Sequence, residues 1–148
     1  MKKFILLIGV MLFSFTSCEK VVEGCTDSAA INYLSDATDD DGTCLYSIIK
    51  RWYVSSMTLN NEELSTSGDF IEFYNDGTYW SNTYVGGSET GTYFHYTTTN
   101  SITFTALEID NQSVNMTFTV NALMSSSTSL ILSGTNPDGL PFQVYLYN

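Results

Sequence analysis

Val114-Asn115-Met116-Thr117-Phe118-Thr119-Val120-Asn121 alternates apolar and polar side chains without a break. Successive side chains of an extended chain point to opposite faces. This period of two therefore places Val114, Met116, Phe118 and Val120 in a core and their neighbours in water. The segment reads as a half-buried β-strand.

Working outward from it, comparable runs occupy 49–59, 69–74, 78–84, 90–96, 101–109, 129–133 and 141–147, which makes eight strands. Turn-forming residues separate them: Asn75-Asp76-Gly77, Gly86-Gly87, Thr99-Asn100, Asp110-Asn111, Ser125-Ser126-Ser127 and Asn136-Pro137-Asp138-Gly139. Asn and Gly tolerate the positive φ that tight hairpins require, so neighbouring strands are expected to pair antiparallel as a meander. Closing such a sheet removes its exposed edges. About eight strands enclose an interior that side chains fill or that holds one small ligand. The predicted fold is all-β, an antiparallel up-and-down eight-stranded barrel spanning 48–148.

Charge excludes one class of partner. The chain carries 5 Lys and Arg against 16 Asp and Glu, a net charge of −11, and no Lys or Arg follows Arg51. Such a surface repels phosphate backbones, which removes nucleic acid as a partner. Adhesion to anionic headgroups is disfavoured for the same reason.

The N-terminus has a different grammar. Met1-Lys2-Lys3 is followed by a run from Phe4 to Phe13 with almost nothing polar, the basic and apolar regions of a signal peptide over 1–17. That run is shorter than the roughly 20 residues a membrane-spanning helix needs. Phe15-Thr16-Ser17-Cys18 then resembles a bacterial lipobox. The resemblance implies export, cleavage before Cys18 and lipidation of Cys18, with attachment to a membrane of the cell envelope, the outer membrane being the expected one. Each acyl chain contributes about 0.8 kcal/mol per buried methylene, so a multiply acylated terminus anchors without electrostatic help.

Cysteine arithmetic agrees with that reading. There are three cysteines, and an odd count in an exported chain requires a destination for the leftover. With Cys18 lipidated, Cys25 and Cys44 remain as a pair in a compartment where disulfides persist. The stretch Gly24-Cys25-Thr26-Asp27, continued by Asn32-Tyr33 and Asp40-Asp41-Gly42-Thr43-Cys44, resembles a short cysteine module of extracellular bacterial proteins. Residues 18–47 are thus expected to be a lipidated linker with a stapled acidic segment. Thr26 or Asp27 is placed to cap a short helical turn at Ser28-Ala29-Ala30. Asp39 and Asp41 before Gly42 have the alternate spacing of a calcium loop. Ala37 stands where a third ligand belongs and no downstream Glu follows, so a solvated acidic turn is the preferred reading and calcium the alternative.

A second resemblance covers the barrel. Lys50-Arg51-Trp52, Glu72-Phe73-Tyr74-Asn75-Asp76-Gly77-Thr78-Tyr79, Gly91-Thr92-Tyr93 and Ser129-Leu130-Ile131-Leu132 are similar to the lipocalin-like domain of small gram-negative lipoproteins. It implies a fold with binding capacity, in which Trp52 plugs one end and Asp76-Gly77 is a turn.

Catalytic constellations are not apparent. His95 is the sole histidine, no Gly-x-Ser-x-Gly elbow occurs, and Glu62-Glu63 and Glu108/Asp110 fall at loops or strand ends. No enzyme is expected. The aromatics of the central hairpins remain, with Trp80, Tyr84, Tyr93 and Phe94 as candidate ligand contacts. Two functions fit: a barrel holding a small apolar or amphipathic ligand, or a non-enzymatic module that meets an envelope protein or glycan through exposed aromatics.

Overall fold

The computed structural model describes residues 20–83, 87–109, 111–136 and 138–148. The expected signal peptide and lipobox-like stretch with Cys18, and Tyr84, lie outside them. In chain order, a short parallel pair, β1 (Glu23–Gly24) and β2 (Asp39–Asp40), precedes β3 (Arg51–Leu59), β4 (Glu62–Leu64), β5 (Phe70–Phe73), β6 (Thr78–Ser81), β7 (Glu89–Tyr96), β8 (Ser101–Ile109), β9 (Gln112–Ser126), β10 (Ser129–Thr135) and β11 (Pro141–Tyr147). Among the described residues there is no helix.

Strands β3 and β5 to β11 each pair antiparallel with the next, and β11 pairs back onto β3 from Leu59↔Phe142 to Tyr53↔Tyr147. The result is a closed eight-stranded antiparallel barrel, as the alternation implied. β4 is an addition. Asn60 and Asn61 both take positive φ, 51° and 66°, the conformation a two-residue primed hairpin needs, and they fold β4 back onto the end of β3. β4 and β5 therefore share one edge of β3, at opposite ends of it. Glu62-Glu63-Leu64 has too few residues to display a period, so the sequence alone does not mark it as a strand.

Two other boundaries moved for physical reasons. β9 runs on through Ser126 because Ala122 and Met124 continue the inward positions while Leu123 turns out, and its second half pairs with β10. β6 stops at Ser81, where the serine hydroxyl accepts the Thr83 amide at 3.1 Å and bends the chain out of the ladder. A bulge in β8 sets Gly91 opposite Ala106 and Thr90 opposite Glu108, leaving Leu107 unopposed. Ala106 and Ile109 thereby both face inward, and Leu107 is exposed.

The strands alternate in direction, so the barrel has two distinct ends. Trp52, Phe73, Ile102, Leu130 and Leu146 fill one of them, all at or near zero exposure. Trp52 donates its indole N–H to the Ile48 carbonyl at 2.9 Å, which satisfies the only polar atom of a side chain buried completely. Burying each such large side chain contributes on the order of 2–3 kcal/mol, making this closed end the anchor of the fold.

The disulfide Cys25–Cys44 is formed, with a Cα separation of 4.9 Å. Cys25, Ala30 and Tyr46 pack together around it and against Met124 of β9, seating the stapled segment at the closed end. Asp27 does not cap a helical turn. Its Oδ1 accepts the Ala29 amide at 2.8 Å and its carbonyl accepts the Ala30 amide at 3.0 Å, closing one tight turn, while the Tyr46 hydroxyl donates to Oδ2 at 2.8 Å. With only a few residues before the next turn, no second helical hydrogen bond follows.

Candidate functional site

Toward the other end the barrel is hollow. A cavity of about 390 Å³ lies between the strands, floored by Ile71, Phe104, Val120, Leu132 and Val144 of the buried core. Met57, Met116, Phe118 and Phe142 form its walls, and Asn136 and Asp138 of the β10–β11 loop reach its upper edge. The volume falls within the roughly 300–1,000 Å³ range of small-molecule pockets. Its walls come from inward positions of the alternating strands; Met116, Phe118 and Val120 are the apolar phase of the segment that decides the fold.

One side of this apolar space is polar. Tyr79, Ser81 and Thr83, from β6 and the residues after it, stand beside Glu89 at the start of β7. Tyr79 is 3% exposed and Ser81 2%. The Tyr79 phenol donates to Glu89 Oε1, and the Ser81 and Thr83 hydroxyls bond each other at 2.7 Å. Burial pushes the Glu89 carboxyl above its ordinary range, with the Tyr79 hydrogen bond opposing the shift. The Tyr79 phenol is also pushed up, first by burial and then by the Glu89 charge.

Gly91 makes the arrangement possible. It sits opposite Tyr79 in the β6–β7 ladder, and a Cβ there would lie 2.9 Å from the Tyr79 ring and 2.1 Å from the Thr105 carbonyl oxygen. Only glycine lets the ring lie over the strand and reach Glu89.

The aromatic residues singled out from sequence are elsewhere. Trp80 and Phe94 lie on the outer surface, Phe94 at 61% exposure. Tyr93 faces inward but near the closed end, its ring edge-on to Phe73 at 4.9 Å and its hydroxyl bonded to the Tyr74 carbonyl at 3.0 Å. None of these three lines the cavity, and Tyr84 lies outside the described residues. Alternation along β6 separates Tyr79 from Trp80 but does not say which is inside; ring closure decides that. Glu89 lies one residue ahead of the alternating run that the sequence shows from Thr90, and the strand begins with it. Extending the parity of Gly91 and Tyr93 back by one residue pair is the signal that places it inward.

Trp80 belongs to a row of rings across four strands. Centroids are 5.8 Å apart for Tyr147–Tyr53, 6.1 Å for Tyr53–Phe70 and 4.8 Å for Phe70–Trp80. The Arg51 guanidinium lies 4.0 Å above Phe70 and bonds Glu72 at 2.6 Å.

In the stapled segment, Asp41 Oδ1 accepts from the Thr43 amide at 2.9 Å and its hydroxyl at 2.6 Å, and Asp40 accepts the Gly42 amide. These bonds hold the Asp41 carboxyl below its usual range and use it to close the turn. Asp39 pairs through its backbone with Glu23. Among the described residues no three His, Cys, Asp or Glu side chains converge as metal ligands. His95 lies beside Thr97, Asn100 and Tyr46 around a 30 Å³ crevice between the stapled segment and the barrel, where burial lowers its pKa.

No family model and no curated protein matches this chain.

Proposed function

We propose that this chain is an exported lipoprotein of the cell envelope, attached to the outer membrane through Cys18, whose lipocalin-like barrel holds a small apolar or amphipathic molecule without acting on it chemically. The observation that carries the reading is the 390 Å³ cavity, bounded by aliphatic and aromatic side chains with polar groups gathered on one side. Dry apolar cavities of less than half that size take up small organic molecules, because filling them restores dispersion contacts that the empty lining lacks. A mainly apolar lining with a few polar groups at one side and at the upper edge favours a ligand with a tail and a head.

The anchor rests on residues 1–18 and on the acidity of the rest, which offers anionic lipid no attraction. Native mass spectrometry of protein purified from its own host is the test of binding, with a co-purifying molecule expected. Absence of any bound molecule, together with failure to take up a polarity-sensitive dye, would overturn it. For the anchor, mass spectrometry of the N-terminal peptide is expected to find acylated Cys18, and an unmodified cysteine would count against lipidation.

A second reading, a module that contacts an envelope protein or glycan, is favoured by the row Tyr147, Tyr53, Phe70 and Trp80. A row of neighbouring rings on an outer sheet face suits the flat apolar faces of sugars. Trp80→Ala is expected to abolish retention on envelope polysaccharide if this face is the binding site. Unchanged retention would remove this reading without touching the cavity.

A further inference from the structure

We infer that the cavity selects a cationic amphipath, an alkyl or aryl amine whose ammonium group pairs with Glu89 while its apolar part occupies the space between Met116, Phe118 and Phe142. This rests on the ligand-binding reading above and specifies the head group it accepts.

The argument begins with what Glu89 lacks. Its carboxylate faces apolar space, and Tyr79 provides one hydrogen bond to one oxygen. Across the β7–β8 ladder its opposite residue is Ile109, which brings neither donor nor charge. Ser81, opposite it on β6, has its hydroxyl engaged with Thr83. The other acidic side chain lining the cavity is Asp138.

Among the described residues no cation is paired with these acids. Nothing after Arg51 is Lys or Arg. Lys50 is held at the closed end by the Ser127 carbonyl at 2.6 Å, and Arg51 by Glu72. An isolated carboxylate in such surroundings is poorly solvated, consistent with burial raising the carboxyl of Glu89.

Three head groups can be compared on this basis. A fatty acid would set a second carboxylate against Glu89 and Asp138 with no cation to screen them, so anionic amphipaths are excluded. An alcohol gains an ordinary hydrogen bond. An ammonium gains a charge-assisted one at low local dielectric and replaces the solvation Glu89 lost on folding. Because pairing buried charges carries its own desolvation cost, the effect is expressed as selectivity among heads more than as high affinity.

Isothermal titration calorimetry of the full chain at pH 7.5 with octylamine, octanol and octanoate tests this, since the three share one tail. Octylamine is expected to bind at least about tenfold more tightly than octanol, with octanoate the weakest. Glu89→Gln is expected to remove this preference and bring octylamine down to the level of octanol. Octanol binding as tightly as octylamine would overturn the charge selectivity and leave the binding reading standing. Octanoate binding as tightly as octylamine would do the same, and so would a preference that survives Glu89→Gln. Binding of none of the three would overturn both. The ranking on the unmodified chain decides the matter even if the glutamine variant does not fold.

Discussion

The Tyr79 phenol on β6 donates its hydrogen bond to the Glu89 carboxylate on β7, and both residues line the barrel cavity. The two are diagonal across the ladder, since Tyr79 stands opposite Gly91 and Glu89 opposite Ser81. The missing side chain at Gly91 is what lets the ring cross that diagonal. An acid in this position makes the barrel's stability depend on pH in a direction opposite to that of most surface carboxylates.

Glu89 titrates above its ordinary value of 4.5 in the folded chain, so the native state holds that proton more tightly than the unfolded one. The stability this contributes is complete below 4.5 and is lost as pH rises through the raised value. Glu89→Gln, which keeps the acceptor for Tyr79, is therefore expected to melt above the unmodified chain at pH 8, with the difference vanishing by about pH 4. Melting temperatures across that range check the sign; a variant less stable at every pH would refute it.

Tyr79→Phe removes the donor and leaves the carboxylate without its partner. Hydrogen bonds to charged groups contribute about 1.5–3 kcal/mol, so a loss of that order is expected at pH 8. In a double-mutant cycle with Glu89→Gln the two changes are expected to be non-additive by about 1 kcal/mol or more. Urea unfolding of the four proteins gives the coupling directly.

Gly91→Ala forces a methyl to within 2.1 Å of the Thr105 carbonyl oxygen and against the Tyr79 ring. The backbone cannot yield without opening the β7–β8 ladder at its bulge. A cost of about 1–3 kcal/mol is expected, along with loss of ligand uptake as Tyr79 is displaced from Glu89. Denaturant midpoints and dye binding on the same sample measure both.

Trp52→Ala empties the closed end of the barrel, where the indole is wholly buried and bonded to Ile48. Such truncations cost about 3–5 kcal/mol, a large part of the stability of a domain this size. Thermal unfolding by circular dichroism should show it. The cavity lies at the other end, so a folded Trp52→Phe is expected to retain dye uptake.

Reduction of Cys25–Cys44 releases a loop that the bond stabilises by about 3 kcal/mol on the chain-entropy estimate. The barrel ladder closes without it, from β3 to β11. Limited proteolysis of the reduced protein is expected to cut within 20–47 while the barrel stays intact; simultaneous cleavage of both would show that the segment is required for the barrel to stand.

Much of this architecture was legible in the chain itself. The alternation of Val114 to Asn121, repeated between Asn- and Gly-containing turns, determined antiparallel strands, and their spacing suited a sandwich or a barrel, of which the barrel is the one that leaves no edge. Setting Cys18 aside left Cys25 and Cys44 as the pair, and they form the disulfide. The interior was a different matter. In Tyr79-Trp80 both phases of the alternation carry an aromatic ring, and parity alone cannot rank two large apolar faces. Closure of β11 onto β3 chose Tyr79 for the inside and left Trp80 on the outer row. The bulge at Leu107 then reset the parity of β8, bringing Ile109 inward opposite Glu89. The pairing of Glu89 with a phenol in a mainly apolar cavity thus arises from ring closure and one extra residue, both of which depend on contacts between strands distant in sequence.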